Sequence, residues 1–197
     1  LLASCDHDVH DGEGDGGLSV SLTWADEVDQ GTEVKDVKLW IFNADDGSLV
    51  EEKHYGSAQE MASQRFQLPE GTYRILTTTN LTEPFFISEQ TRALTNWNNI
   101  QIGLTNPKDV NHNAYFGVTD VRIDNKEGNY VVQNPVKSML AELTIIIENV
   151  PKGTEMSGKA LDAAWCLFPT QKNSDGEYGL PSIEPTEVEL PTLLATE

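Results

Sequence analysis

Cys5 carries the most specific chemistry in this sequence. It closes the run Leu1-Leu2-Ala3-Ser4-Cys5, where a leucine and two small residues precede a thiol. That order is a lipobox: small side chains fit a peptidase cleft, and the thiol takes a diacylglycerol before the chain is cut. Residues 1–4 therefore read as the remnant of a signal peptide, with Cys5 as the lipidated residue. Each buried CH₂ contributes ~0.8 kcal/mol, so one acyl chain holds weakly and two or three hold almost permanently.

The remaining chemically capable residues do not form a catalytic set. There is no Gly-x-Ser-x-Gly, no His-Glu-x-x-His and no Gly-x-x-x-x-Gly-Lys-Ser/Thr. His54 lies in an alternating run beside Tyr55 and reads as a surface or cross-strand residue, while His112 reads as a loop residue. Asp45 and Asp46 lack the further spaced acids and terminal Glu of a calcium loop and read as a turn. Glu51 and Glu52 are neighbours on a strand, point to opposite faces, and cannot flank one glycosidic bond. No enzyme activity, cofactor or small-molecule ligand is expected.

Charge narrows the partners. The 197 residues carry 32 acids against 13 bases, a formal net charge of -19. Nucleic acid is excluded, because phosphate binding needs clustered Lys and Arg; the acidity reads as solubility at a crowded surface, with cation binding as the alternative. No run approaches the ~20 apolar residues of a spanning helix, so contact with a membrane is expected only through the lipid.

The tether and the elements that follow it set the architecture. Residues 5–16 are acidic and Gly-rich with almost nothing to bury, and read as a flexible tether. His7 and His10 among its aspartates offer metal ligands, but a tract without a folded scaffold holds metal poorly. From Gly17 onward the pattern is β. Leu18, Val20, Leu22 and Trp24 alternate with Ser19, Ser21 and Thr23. Val34 to Phe42 repeats the alternation, Val37, Leu39 and Ile41 facing one way, Lys38 and Trp40 the other. Asn43 to Gly47 makes a turn with positive φ at Gly47, and Ser48 to Tyr55 returns as the partner strand.

Gly56 to Ser63 reads as a short helical turn or loop, and Pro69 with Gly71 turns the chain into a strand over 72–80. Phe85 to Asn99 is the one α-helical candidate. Strands are expected at Ile100–Leu104, Ala114–Val118 and Val121–Ile123, with a turn over 125–129 into Tyr130. A domain boundary is placed at Gln133-Asn134-Pro135. Beyond it, Val136 to Val150 reads as the most hydrophobic strand, with the β-branched run at 143–147 buried, and strands follow at Leu161–Phe168 and Val188–Leu194. Cys166 reads as a small buried hydrophobe. Residues 17–133 form the first β-sandwich domain. Residues 134–197 either complete that sandwich or are a second, truncated one.

Three stretches together resemble the fimbrillin-like lipoproteins of the Bacteroidetes, above all their fimbrial anchor and accessory subunits. They are Val37-Lys38-Leu39-Trp40-Ile41-Phe42 running into Asp45-Asp46-Gly47, then Leu68-Pro69-Glu70-Gly71-Thr72-Tyr73 with a strand to Asn80, then Asn134 to Thr144 ending at Asn149-Val150-Pro151. Each is generic alone; their order and spacing carry the resemblance. The acidic run after Cys5 also resembles a surface-export signal of lipoproteins from that phylum. The resemblance implies an all-β fold of transthyretin-like antiparallel sandwiches, no cofactor, and a pilin as partner at the outer membrane, met by added-strand pairing. Shaft subunits of such families are cut after an arginine near the N-terminus; here no Lys or Arg precedes Lys35, which favours a non-polymerising subunit. The candidate interface residues are Trp40, Trp97, Val136, Leu143 and Ile145. The alternative function is capture of a glycan or host ligand by a surface lipoprotein, with Trp24, Trp40 and Trp97 as its platform.

Overall fold

A computed structural model describes residues 16–88, 95–106, 110–141, 144–182 and 187–194, with only the backbone of Val28. The tether and Cys5 lie outside them. Strands β1 (Gly17–Trp24), β2 (Val37–Asn43) and β3 (Leu49–Tyr55) are followed by the single-turn helix α1 (Ala58–Ala62). Next come β4 (Gly71–Thr79), β5 (Phe85–Ile87), β6 (Ile102–Leu104), β7 (Tyr115–Ile123) and β8 (Asn129–Ser138). The later strands are β9 (Glu155–Met156), β10 (Lys159–Leu161), β11 (Cys166–Lys172), β12 (Tyr178–Pro181), β13 (Glu187–Glu189) and β14 (Leu193–Leu194).

Six strands form one sheet in the order β1-β8-β7-β4-β2-β3, and four form a second in the order β12-β11-β6-β5. Two short ribbons, β10-β13 and β14-β9, stand apart from both. Pairing is antiparallel except between β1 and β8, which run parallel in register from Gly17↔Asn129 to Trp24↔Val136.

Alternation decides the layers. Val37, Leu39 and Ile41 of β2 join Tyr73 and Ile75 of β4 and Leu18 and Val20 of β1 in one core, covered by Met61 of α1, Phe66 and Leu68. The opposite face presents Trp40, Phe42, Leu76 and Phe116 to Trp97 and Ile100, with Ile87, Leu167 and Tyr178 from the smaller sheet packed over them. Helix α1 sits where local capping allows it: the Ser57 hydroxyl accepts from the Glu60 N–H at 3.2 Å, and the Glu60 carboxylate accepts from the Gly56 N–H at 2.8 Å.

Several sequence expectations change. Phe85 to Asn99 contains no α-helix among its described residues: Phe85–Ile87 pairs with β6, and Trp97–Asn99 is one 3-10 turn. Asn96 and Asn99 bond each other's backbone there, the competition that keeps asparagine out of helix interiors. Ala114–Val118 and Val121–Ile123 merge into the single strand β7, paired with β4 from end to end. The strand expected over Val136–Val150 ends at Ser138, and Thr144–Val150 belongs to no sheet. Finally, β8 continues through residues 133–135, and β11 and β12 share a sheet with β5 and β6 from before that point.

The 133–135 signal has another cause. Pro135 has no N–H to donate, and the β7-β8 ladder stops after Phe116↔Lys137. The fully buried Asn134 side chain bridges the gap. Its amide donates to Thr77 Oγ1 at 3.1 Å and to the Gly117 carbonyl at 3.3 Å, while its oxygen accepts from Thr119 Oγ1 at 3.0 Å. A Cβ at Gly117 would lie 2.6 Å from that oxygen, so glycine lets the strands approach. Asn134→Ala strands these groups and opens a cavity; a loss of about 2–4 kcal/mol is expected in urea unfolding.

Burial also lifts the hydroxyls of Tyr55, Tyr73 and Tyr178 above the ordinary 10.0, with Glu60 and Glu51 adding to the effect at Tyr55. At Tyr178, Asp120 adds and Arg74 opposes. A raised folded value favours the neutral phenol, so this stability is complete below pH 10 and is lost as pH rises through the folded values. Tyr73→Phe, which removes the hydroxyl bonded to the Pro69 carbonyl, is expected to flatten the alkaline fall in melting temperature.

Candidate interaction surface

Open strand edges and exposed apolar side chains are the two features by which a β-protein meets another chain. The larger sheet ends at β1 and β3. Leu18 of β1 exchanges two backbone hydrogen bonds with Phe66, both 2.9 Å, which closes that edge near its start. The β3 edge carries Glu51, Glu52, Lys53 and His54, with Lys53 3.8 Å from Glu51 and His54 Nε2 2.5 Å from Asp36. Charged edge residues oppose pairing with a further strand. In the smaller sheet β5 has three residues, and β12 has four and ends in proline. The edges among the described residues are thus short, charged or bridged.

Exposed apolar residues are distributed unevenly. Among the described residues, seven of the nine large ones follow residue 140: Ile145, Ile146, Ile147, Leu161, Trp165, Leu193 and Leu194. The isoleucines are 57%, 79% and 60% exposed, where the sequence pattern predicts burial. The local signal is the same in both cases, a β-branched run suited to a pleated, half-covered backbone; what differs is that no described element lies over it.

The candidate interface residues fall into different places. Trp40 and Trp97 are 3% and 5% exposed and sit in the second core, so neither offers its ring to a partner. Trp97 is held edge-on by Phe42 at 5.4 Å and Tyr178 at 5.7 Å, with the Arg74 guanidinium 5.2 Å over its ring. The Gly47 carbonyl accepts from its N–H at 2.9 Å, which ties it to the β2-β3 turn. Val136 is buried in β8, Leu143 lies outside the described residues, and Ile145 is exposed.

The three-tryptophan platform does not assemble. Trp24 packs edge-on against Tyr115 at 4.9 Å, whose hydroxyl donates to Asp29, and the other two are buried. Trp165, which lies just before β11 and within the strand expected over Leu161–Phe168, is the exposed tryptophan among the described residues, at 38%. It borders an apolar groove of about 80 Å³ with Phe85, Met139, Leu140 and half-buried Cys166, too small for an ordinary ligand site. Among the described residues no three His, Cys, Asp or Glu side chains gather to hold a metal. No described helix is long and apolar enough to cross a membrane.

The architecture, nearly all β with antiparallel sheets packed face to face, is shared by several solved structures. A candidate adhesin from Bacteroides ovatus matches at TM-score 0.58 and 17% identity, over 88% of this chain and 65% of that one. A candidate polysaccharide-binding protein from Bacteroides thetaiotaomicron matches at 0.51 and 14%, over 62% and 47%. The fimbrial anchor protein Mfa2 from Porphyromonas gingivalis matches at 0.54 and 13%, over 92% and 73%. At such identities the likeness is one of fold, and the chain spans less than two thirds of the first two. No curated protein matches in sequence. The model of the fimbrillin-A associated anchor proteins Mfa1 and Mfa2 matches residues 5–189, and the chain belongs to that family, one of anchors and not of enzymes.

Because Ile145, Ile146 and Ile147 contact little, replacing all three with serine should change urea-unfolding stability by no more than about 1–1.5 kcal/mol in sum. Binding of the apolar dye ANS to the folded protein should fall. A loss of several kcal/mol would place them in a core.

Proposed function

We propose that this chain is an anchor or accessory subunit of a fimbrium, lipidated at Cys5 and fixed to the outer membrane, and that it pairs with a pilin through an added strand. The observation that carries this reading is the exposed run Thr144–Ile147 beside closed or charged sheet edges. A β-branched run gains by entering another subunit's sheet: its backbone groups pair, and alternate side chains leave water. Family membership supplies the class of partner, a fimbrial subunit. The acidic tether spans the distance from lipid to sandwich, and the lipid bears the load. Ile145 and its neighbours, with Leu143 preceding them, are the contact residues of this reading; buried Val136 supports the strand from which the run departs.

A second reading, capture of a glycan at the cell surface, draws on the exposed ring of Trp165 and on the polysaccharide-binding description of the Bacteroides thetaiotaomicron neighbour. A glycan array separates the two, since an anchor binds no sugar there.

The decisive comparison is between strains carrying the parent protein, Cys5→Ala, and the triple serine variant of Ile145, Ile146 and Ile147. High-mass pilin polymer is followed by immunoblot in cells and medium. Both variants are expected to move polymer into the medium, the first with this protein unlipidated and the second with it still on the cells. Polymer that stays with the cells in both strains sinks the anchor reading.

A further inference from the structure

We infer that the cleft between the outer margins of the two sheets is a binding site for a short zwitterionic peptide, of about two residues, carrying an apolar side chain. The inference goes beyond the anchor reading, since this site needs neither pilin nor lipid.

The cleft follows from the topology. β3 is the last strand of the larger sheet and β5 the last of the smaller one, and the two do not pair with each other. Between them lies a cavity of about 340 Å³, lined by Lys38, Trp40, Glu52 and His54 from the larger sheet and by Ile87, Ser88 and Ile100 from the smaller sheet and its approaches. That volume is at the small end of ligand sites, with room for one or two residues and not for a longer chain. Trp40 and Ile100 are each 3% exposed and Ile87 is half-buried, a floor that takes an apolar side chain out of water. Ser88 is oriented as a donor: its Oγ accepts from the Gln101 N–H at 3.1 Å, which leaves the hydroxyl proton to give.

Two charges on the rim stand unmatched. Across the β2-β3 ladder Lys38 lies opposite His54 and Trp40 opposite Glu52, so Lys38 and Glu52 are diagonal neighbours. Such positions are ~7–8 Å apart, and no ion pair joins the two. Among the described residues neither the Lys38 ammonium nor the Glu52 carboxylate has another partner, whereas Lys35, Lys53, Lys137 and Lys159 each hold a glutamate. Lys38 is also half-buried, where an unmatched ammonium is costly. His54 is already engaged, its Nε2 2.5 Å from Asp36.

The pattern selects the ligand. A carboxylate for Lys38 and an ammonium for Glu52, ~7 Å apart, are the two ends of an extended dipeptide at ~3.3–3.6 Å per residue. A ligand carrying both charges is neutral in sum, so the net charge of -19 does not repel it as it would an acidic sugar or a phosphate. Trp40 is too well covered to stack on a sugar ring, and the apolar floor suits an aliphatic side chain instead.

The test titrates the intact, isotope-labelled chain by NMR with the dipeptide Leu-Ala, its N-acetyl form, its C-terminal amide, and glycerophosphoethanolamine, a zwitterion of lipid head groups. Leu-Ala is expected to shift the amides of Lys38, Glu52, His54 and Ser88 saturably, with a Kd of about 1 mM for so small a ligand. Blocking either end is expected to weaken binding about 3- to 5-fold, the scale of a partly exposed ion pair. Lys38→Gln is expected to erase the loss on amidation and Glu52→Gln the loss on acetylation, with melting temperatures unchanged. No saturable shift by about 10 mM overturns the site. Blocked peptides that bind as well as Leu-Ala, or losses that both variants retain, overturn the zwitterion assignment. Tighter binding of glycerophosphoethanolamine overturns the peptide in favour of a head group. None of these measurements reads the retention of pilin polymer, so the anchor reading can fail while this site stands.

Discussion

The six-stranded sheet has to be kept dry on both faces, and the rest of the molecule is arranged to meet that demand. Its strands β2 and β4 carry large apolar residues at odd and even positions alike. Val37, Leu39 and Ile41 oppose Trp40 and Phe42, and Tyr73 and Ile75 oppose Leu76. One face is covered by α1 and the passage through Phe66 and Leu68, the other by the smaller sheet and the turn bearing Trp97. At roughly 25 cal/mol per Å² of apolar surface removed from water, leaving either face open would cost a large part of a domain's net stability.

The polar interior follows from the same demand. Thr77, Thr78, Thr79 and Asn134 are buried because they lie on strands covered from both sides. Asn134 repairs the ladder where Pro135 interrupts it, and joins β4, β7 and β8 through side-chain bonds. Asn80, at φ 59, does similar work at the end of β4: its side chain accepts from the Lys35 N–H at 2.8 Å and donates to the Glu33 carbonyl at 3.0 Å. The crossing from β1 to β2 is thereby pinned to the central strand. Where the repair is incomplete, around Thr170 and Arg74, the covering layer is also the most weakly paired.

In the proposed reading, function sits where the two-sided burial stops. Beyond residue 140 the described chain outside β11 and β12 makes only two-residue and three-residue ribbons, and apolar side chains face water there. A body held rigid by two cores, joined to an uncovered β-branched run, is the division of labour an anchor needs. In that reading the first would resist load, and the second would meet a neighbour.

The strands of the first half were legible in the sequence because period-two alternation is a local property. Leu18 to Trp24 and Val37 to Ile41 announce both their backbone and the face each residue takes, and Thr72 to Asn80 announces its strand by its Tyr, Ile and Thr residues. The turn at Asn43 to Gly47 was legible for the same reason, since φ of 73 at Gly47 is a demand of one residue. The family was legible in the order of three short stretches. What covers a face is not local. Trp40 stood as a candidate interface residue until the smaller sheet supplied the layer over it. Ile145 read as core until no described element came to cover it. Pro135 read as a boundary because proline ends ladders, but only the position of Asn134 beside Thr77, Gly117 and Thr119 decided that the sheet would continue. Periodicity is written in consecutive residues, whereas burial is settled by strands far apart in the chain.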